Sequence, residues 1–265
     1  MQEGRLKQKL HTGKPALGFT SYLGSEFAIE TLGWVGFDFV MIDLEHCSID
    51  ESKMENLVRA AEVTGMNALI RVWEDDPVIV TKALDTGAMG LVFPFVNSAE
   101  DARKIVRWTR LASAGGSRGS CPASRVARDS YFRDGYAGYV KEAADPFILA
   151  MIETRSGLEA VHDIIATEHI NGLYFGPADF SQSIGAAFNA KEVIEARNAV
   201  EKAALSAGKI CMTVAFSPED AVECFRRGVQ LVKVAPDNFI LANAGKEYVK
   251  QFNAAESAAV RERIK

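Results

Sequence analysis

Three observations predict a (β/α)8 barrel for this chain. Eight short apolar runs recur along it, and nearly all are followed by an amphipathic helical pattern. The runs are apolar at almost every position, as in strands covered on both faces, which favours a parallel sheet over an antiparallel one. The length of 265 residues is close to the ~250 typical of this architecture. We therefore expect one barrel domain across residues 1–265.

The elements follow in order. The first strand is "KPALGFT" (14–20) and the second "FDFVMID" (37–43), after which "ESKMENLVRAAEVTG" (51–65) reads as a helix stopping at Gly65. The third, "NALIRV" (67–72), leads into "DPVIVTKALDTG" (76–87), which stops at Gly87. The fourth, "GLVFPFV" (90–96), precedes a helix whose N-cap is Ser98. The fifth and sixth are "FILAMIE" (147–153) and "GLYFGPA" (172–178), separated by the helical "SGLEAVHDIIATE". The seventh is "KICMTVAF" (209–216), followed by a helix that opens on Ser217–Pro218 and closes at Gly228. The eighth is "QLVKVAP" (230–236). An open doubly wound sheet would need a glycine-rich nucleotide loop after its first strand. "GGSRGS" (115–120) instead follows a helix and does not match GxGxxG. One stretch breaks the alternation. Residues 113–146 are long for a connection and are expected to form a loop or lid over the active-site face, with a short helix near "DGYAGYVKEA".

Composition narrows the function classes. The net charge of −5 gives no electrostatic case for nucleic acid. No apolar run approaches the ~18 residues of a membrane span, and the polar N-terminus lacks a signal core, so a soluble cytoplasmic protein is expected. Four scattered cysteines without a CxxC pair suggest neither a disulfide framework nor a zinc site, and Cys47 reads as packing.

Barrel chemistry sits at the carboxyl ends of the strands. The second strand ends in Asp43, Glu45 and His46, the third in Arg71, the fifth in Glu153, and the sixth runs into Asp179. Singly, each has an ordinary structural reading as a helix cap, a surface pair or a packed histidine. Jointly they place acids, a histidine and an arginine on one rim, where unpaired charge is costly. Glu153 and Asp179 could flank one hard divalent cation such as Mg2+ or Mn2+, leaving positions for water and substrate oxygens. Arg71 would bind a carboxylate or an oxyanion, and His46 would be the base. Asp85 could orient His46, although its spacing reads more readily as a helix terminus.

The motifs "FDFVMIDLEHCSID", "IRVWEDDPVIVTKALDTGAMGLVFPFV", "SRGS", "IETRSGLEAVHDI" and "GPADFSQSIG" resemble the HpcH/HpaI aldolase and citrate lyase family of metal-dependent pyruvate aldolases, from about Gly18 to about Val234. The resemblance implies a (β/α)8 barrel, often with its last helix exchanged between subunits of a homo-hexamer built as a trimer of dimers. It implies reversible cleavage of a 4-hydroxy-2-oxo acid to pyruvate and an aldehyde, with a divalent cation (Mg2+, Mn2+ or Co2+). Glu153 and Asp179 fall on the metal ligands, His46 on the base, Asp85 on the acid that raises its proton affinity, and Arg71 on the enolate stabiliser. Ala178 and Asp179 fall on the amides that hold the pyruvate carboxylate, and Asp43 and Glu45 on acids around metal-bound water. Many relatives carry Gln where Met151 stands and a Pro-Pro pair before the "RG" motif. Other metal-enolate lyases on this scaffold, such as an oxaloacetate decarboxylase or a citramalyl- or malyl-type lyase, would share these motifs. A Schiff-base aldolase would need a strand-end lysine, for which Lys233 is the candidate.

Overall fold

The computed structural model describes residues 4–73, 76–128 and 130–264. Eight parallel strands close into a barrel in the order β1 to β8. They are β1 (Ala16–Ser21), β2 (Phe39–Asp43), β3 (Asn67–Arg71), β4 (Gly90–Phe93), β5 (Phe147–Ile152), β6 (Gly172–Phe175), β7 (Ile210–Val214) and β8 (Leu231–Lys233). Seven lie within the runs expected from the sequence, and β1 runs one residue past its own, to Ser21. β1 and β8 close the ring, with Gly18 opposite Lys233.

Two apolar layers follow from strand alternation. Phe39, Met41, Leu69, Val92, Leu149, Tyr174, Met212 and Leu231 fill the barrel interior. The alternate residues, such as Val40, Ile70 and Phe175, pack outward against the helices. These helices are α2 (Glu26–Trp34), α3 (Glu51–Val63), α4 (Pro77–Asp85), α5 (Ala99–Thr109), α7 (Arg155–Glu159), α8 (Val161–Ala166), α9 (Pro177–Ile184), α10 (Lys191–Ser206) and α11 (Pro218–Arg226). Their starts are chemically marked. Ser25, Asp50, Asp76, Ser98, Thr154 and Ser217 each accept a hydrogen bond from a first-turn amide.

A short helix, α1 (Arg5–His11), stoppers the amino end of the barrel. Leu6 is fully buried and joins the interior cluster, a burial that contributes about 2 kcal/mol. Its backbone N–H donates to Asn67 Oδ1 at 3.1 Å, and Lys9 Nζ meets Asp38 at 2.6 Å.

Residues 113–146 depart from the expected lid over the active-site face. They join a helix to a strand, and such connections return at the amino end of a barrel. Arg125 donates to Thr86 O and Arg128 to Gly87 O, both at 2.5 Å, and both arginines pair with Glu62. Arg118 donates to Thr109 O and Ala143 O. Together with α1 and the first residues of β3 and β5, this segment borders a cavity of about 730 Å³ at the amino face. The expected short helix is α6 (Ser130–Ala143), longer than anticipated and kinked at Gly135, whose φ is 66°.

The last helix, α12 (Asp237–Ile264), is anchored at its start. Asp237 accepts from Ser21 Oγ at 3.1 Å and Tyr22 N at 2.9 Å, fixing α12 to the end of β1. Further along, Leu241, Tyr248, Val249 and Phe252 stand exposed. Among the described residues no helix is long and apolar enough to cross a membrane.

Candidate active site

The site is built on a register pair. Asp43 and Arg71 sit opposite each other at the ends of β2 and β3, so both side chains point into the mouth. Arg71 Nε donates to Asp43 Oδ1 at 2.9 Å and Nη2 to Oδ2 at 2.5 Å, a bidentate pair that is almost wholly buried. Burial alone would raise the Asp43 carboxyl, but the Arg71 bonds and charge outweigh it and hold it below the usual range. Burial likewise opposes the Arg71 charge, and Asp43 overrides it, so the guanidinium stays cationic. Arg71 Nη1 also meets Glu45 Oε2 at 3.1 Å, and Nη2 reaches the Tyr22 hydroxyl at 3.3 Å. Tyr22 itself is pushed up to about 12, by burial first and then by Asp43.

Glu153 follows β5 directly and is 1% exposed. Its Oε1 accepts the Phe95 N–H at 2.7 Å, while Oε2 is buried with no hydrogen-bond partner. Phe95 presents that N–H from a left-handed backbone with φ 51°, a strained conformation for a non-glycine residue that persists where surrounding structure enforces it. Gly176 opens the space beside Glu153, because a Cβ there would stand 2.5 Å from Oε2. Burial pushes the Glu153 carboxyl up to about 7, opposed by the Phe95 N–H and reinforced by Glu45 and Asp179. Glu45 Oε2 is also buried but has Arg71 Nη1 as its ion-pair partner, and burial raises its carboxyl against the pull of Arg71 and His46. A buried carboxylate oxygen without a donor is the environment a hard cation would complete.

Asp179 and Ala178 lie in the first turn of α9, immediately after β6. Their N–H groups precede the first intrahelical bond, from Phe180 N to Gly176 O, and no side chain caps that end. Such amides suit an anionic oxygen. His46 stands at the rim, with its side chain half exposed, and its Nε2 lies 3.6 Å from Glu45 Oε2.

The structure thus gathers Asp43, Glu45, His46, Arg71 and Glu153 at one mouth, with Ala178 and Asp179 opening the helix that follows β6. Asp85 is not among them. It ends α4, which runs from the carboxyl face back to the amino face, and it sits beside Arg118 and Ser124. Burial raises its carboxyl despite the Arg118 charge. Within the chain, the acid beside His46 is Glu45. Sequence reading missed Tyr22, the Phe95 amide and Gly176. Only "GP" after an apolar run hinted at close approach near residue 176. Among the described residues, no group of three or more His, Cys, Asp or Glu side chains could hold a metal alone, so any cation here would lean on two carboxylates plus water and ligand oxygens.

With this geometry in place, comparison with known proteins is direct. The family model described as HpcH/HpaI aldolase/citrate lyase matches residues 21–244. The chain belongs to the HpcH/HpaI aldolase/citrate lyase family. It is 30% identical over 260 residues to a 4-hydroxy-2-oxo-heptane-1,7-dioate aldolase from Shigella sonnei (strain Ss046), covering 97% of each chain. It is 34% identical over 233 residues to a hydroxypyruvate/pyruvate aldolase from Paraburkholderia phytofirmans, covering 83% of this chain and 88% of that one. An HpcH/HpaI family structure from Burkholderia cenocepacia J2315 superposes with a TM-score of 0.82 at 29% identity, covering 94% and 98%. The relatives are aldolases and related lyases, which supports carbon–carbon lyase activity in this member of the HpcH/HpaI family.

Proposed function

We propose that this HpcH/HpaI protein is a divalent-metal-dependent aldolase that reversibly cleaves a 4-hydroxy-2-oxo acid to pyruvate and an aldehyde. The observation that carries the reading is the buried, donor-free Oε2 of Glu153 beside the Arg71–Asp43 pair. Glu153 and Asp179 would hold the cation, which when bound supplies Lewis acidity toward the 2-oxo group. Hard oxygen donors in this number suit Mg2+, Mn2+ or Co2+.

The chain's own residues supply the remaining chemistry. The α9 amides of Ala178 and Asp179 take the substrate carboxylate. Arg71, held in one orientation by Asp43, donates to the 2-oxo oxygen as negative charge develops there. His46 takes the proton of the 4-hydroxyl, the C3–C4 bond breaks, and its electron pair passes into the C2–C3 enolate. Protonation at C3 then yields pyruvate. Asp43 and Glu45 orient Arg71, and Glu45 stands beside the His46 ring. A role for Asp85 at His46 requires a second copy of the chain. We also propose a cytoplasmic homo-oligomer, a hexamer built as a trimer of dimers, supported by the exposed apolar residues of α12.

The test is a pyruvate-coupled cleavage assay over 4-hydroxy-2-oxo acids of varied size and charge. Chelator should abolish turnover and Mg2+, Mn2+ or Co2+ should restore it. Full activity without metal, or a borohydride-trapped lysine adduct, would refute the reading.

A further inference from the structure

The barrel interior holds a cation that the chemistry above leaves unused. Lys233 pairs in register with Val214 on β7 and Gly18 on β1. It lies two residues beyond Leu231, which belongs to the interior cluster, so its side chain points into the barrel. The residue is 7% exposed, and its Nζ stands 5.1 Å over the Tyr174 ring. Among the described residues, no carboxylate lies within salt-bridge distance of Nζ and no hydrogen-bond acceptor meets it. Asp43 is close enough to act on Lys233 electrostatically, but both of its oxygens already bind Arg71, and Oδ1 also accepts the Glu45 N–H.

A buried ammonium without an anion is unfavourable and is normally completed by one. Burial first, and the Arg71 charge second, push the Lys233 amine down to about 7, so a neighbouring anion would help it keep its proton. The position indicates where that anion sits. Tyr174 lies on β6 two residues before Gly176, the residue that opens α9. The ammonium over Tyr174 thus stands against the strand that leads directly into α9, whose Ala178 and Asp179 amides precede the first intrahelical bond. The aromatic ring that carries the cation and the amides that suit an anionic oxygen lie on one continuous strand–helix segment.

We infer that Lys233 is a substrate-binding residue whose ammonium takes an oxygen of the 2-oxo acid carboxylate from the barrel floor, opposite the α9 amides. The inference rests on the aldolase reading and deepens it, making recognition of the acid end depend on a formal charge as well as on backbone N–H groups. The face of the Tyr174 ring holds the ammonium in place through a cation–π contact.

The experiment is calorimetric titration of pyruvate, and of its neutral ester methyl pyruvate, into the full-length protein in excess Mg2+. Lys233→Met should weaken pyruvate binding tenfold or more and leave the ester unchanged, so the preference for acid over ester collapses. The variant should melt no lower than the wild type, because removing an unpaired buried charge is neutral or stabilising. Lys233→Gln serves the same comparison if the methionine does not pack. Unchanged pyruvate affinity in a folded variant overturns the assignment, and continued cleavage by the wild type would then leave the aldolase reading intact. Lys233-dependent pyruvate binding without cleavage of any hydroxy-oxo acid would do the reverse. A wild type that binds no pyruvate overturns both.

Discussion

Arg71 and Asp43 face each other across the β2–β3 pair as register partners and share two hydrogen bonds of 2.9 and 2.5 Å in a buried setting. Removing one partner leaves a buried charge uncompensated. Asp43→Ala is expected to lower unfolding free energy by about 3 kcal/mol in urea melts, and to suppress pyruvate release in the coupled assay.

Glu153 makes the metal-free protein sensitive to pH in a defined direction. Its folded value of about 7 lies above the ordinary 4.5, so the folded state holds a proton that the unfolded state has released. Stability should therefore fall as pH rises from about 4.5 to about 7 and level off above, by on the order of 3 kcal/mol at most. Asp43 has the opposite sign, contributing stability at neutral pH that is lost as acid protonates it. Glu153→Gln should flatten the first slope in chemical denaturation across that pH range and leave the acid-side loss in place.

His46 is half exposed and packs little, so its replacement separates chemistry from folding. His46→Ala should reduce turnover by about 10²- to 10⁴-fold and shift stability by no more than about 0.5 kcal/mol. Unchanged turnover would remove it from the reaction.

Gly176 is small for the sake of Glu153. In Gly176→Ala the new methyl meets Oε2 at 2.5 Å, so the carboxylate or the strand must move. A stability loss of about 1–3 kcal/mol should accompany weaker Mg2+ binding, read by calorimetry.

The outer part of α12 should matter to assembly and not to the barrel. A chain ending at residue 243 should keep the cooperative thermal unfolding of the barrel yet sediment as an assembly of fewer subunits than the full-length protein. An unchanged number of subunits would place the subunit contacts elsewhere.

The strands were legible because each is covered on both faces and therefore apolar throughout, as in "FDFVMID" and "FILAMIE". The rim residues were legible for the complementary reason, since charge after such a run has few structural uses. α1 was not, because its seven mostly polar residues bury only Leu6. The Phe95 amide was not, because a backbone donor in a left-handed conformation leaves no side-chain signature. The place of residues 113–146, and of Asp85, followed from strand–helix alternation, since whatever ends a helix lies at the amino end. Length and family likeness pointed the other way. Lys233 needed the register, which sets whether a lysine in an apolar strand points inward or out.

Leu6 plugs the amino end of the interior, which leaves the carboxyl mouth as the way in among the described residues. On the proposed reaction, both products leave by the way the substrate entered. The acid half lies deeper, between Lys233 and the start of α9, and the aldehyde half lies nearer the His46 rim. Traffic is then last in, first out: the aldehyde departs before pyruvate, and added pyruvate competes with the intact substrate for the same berth.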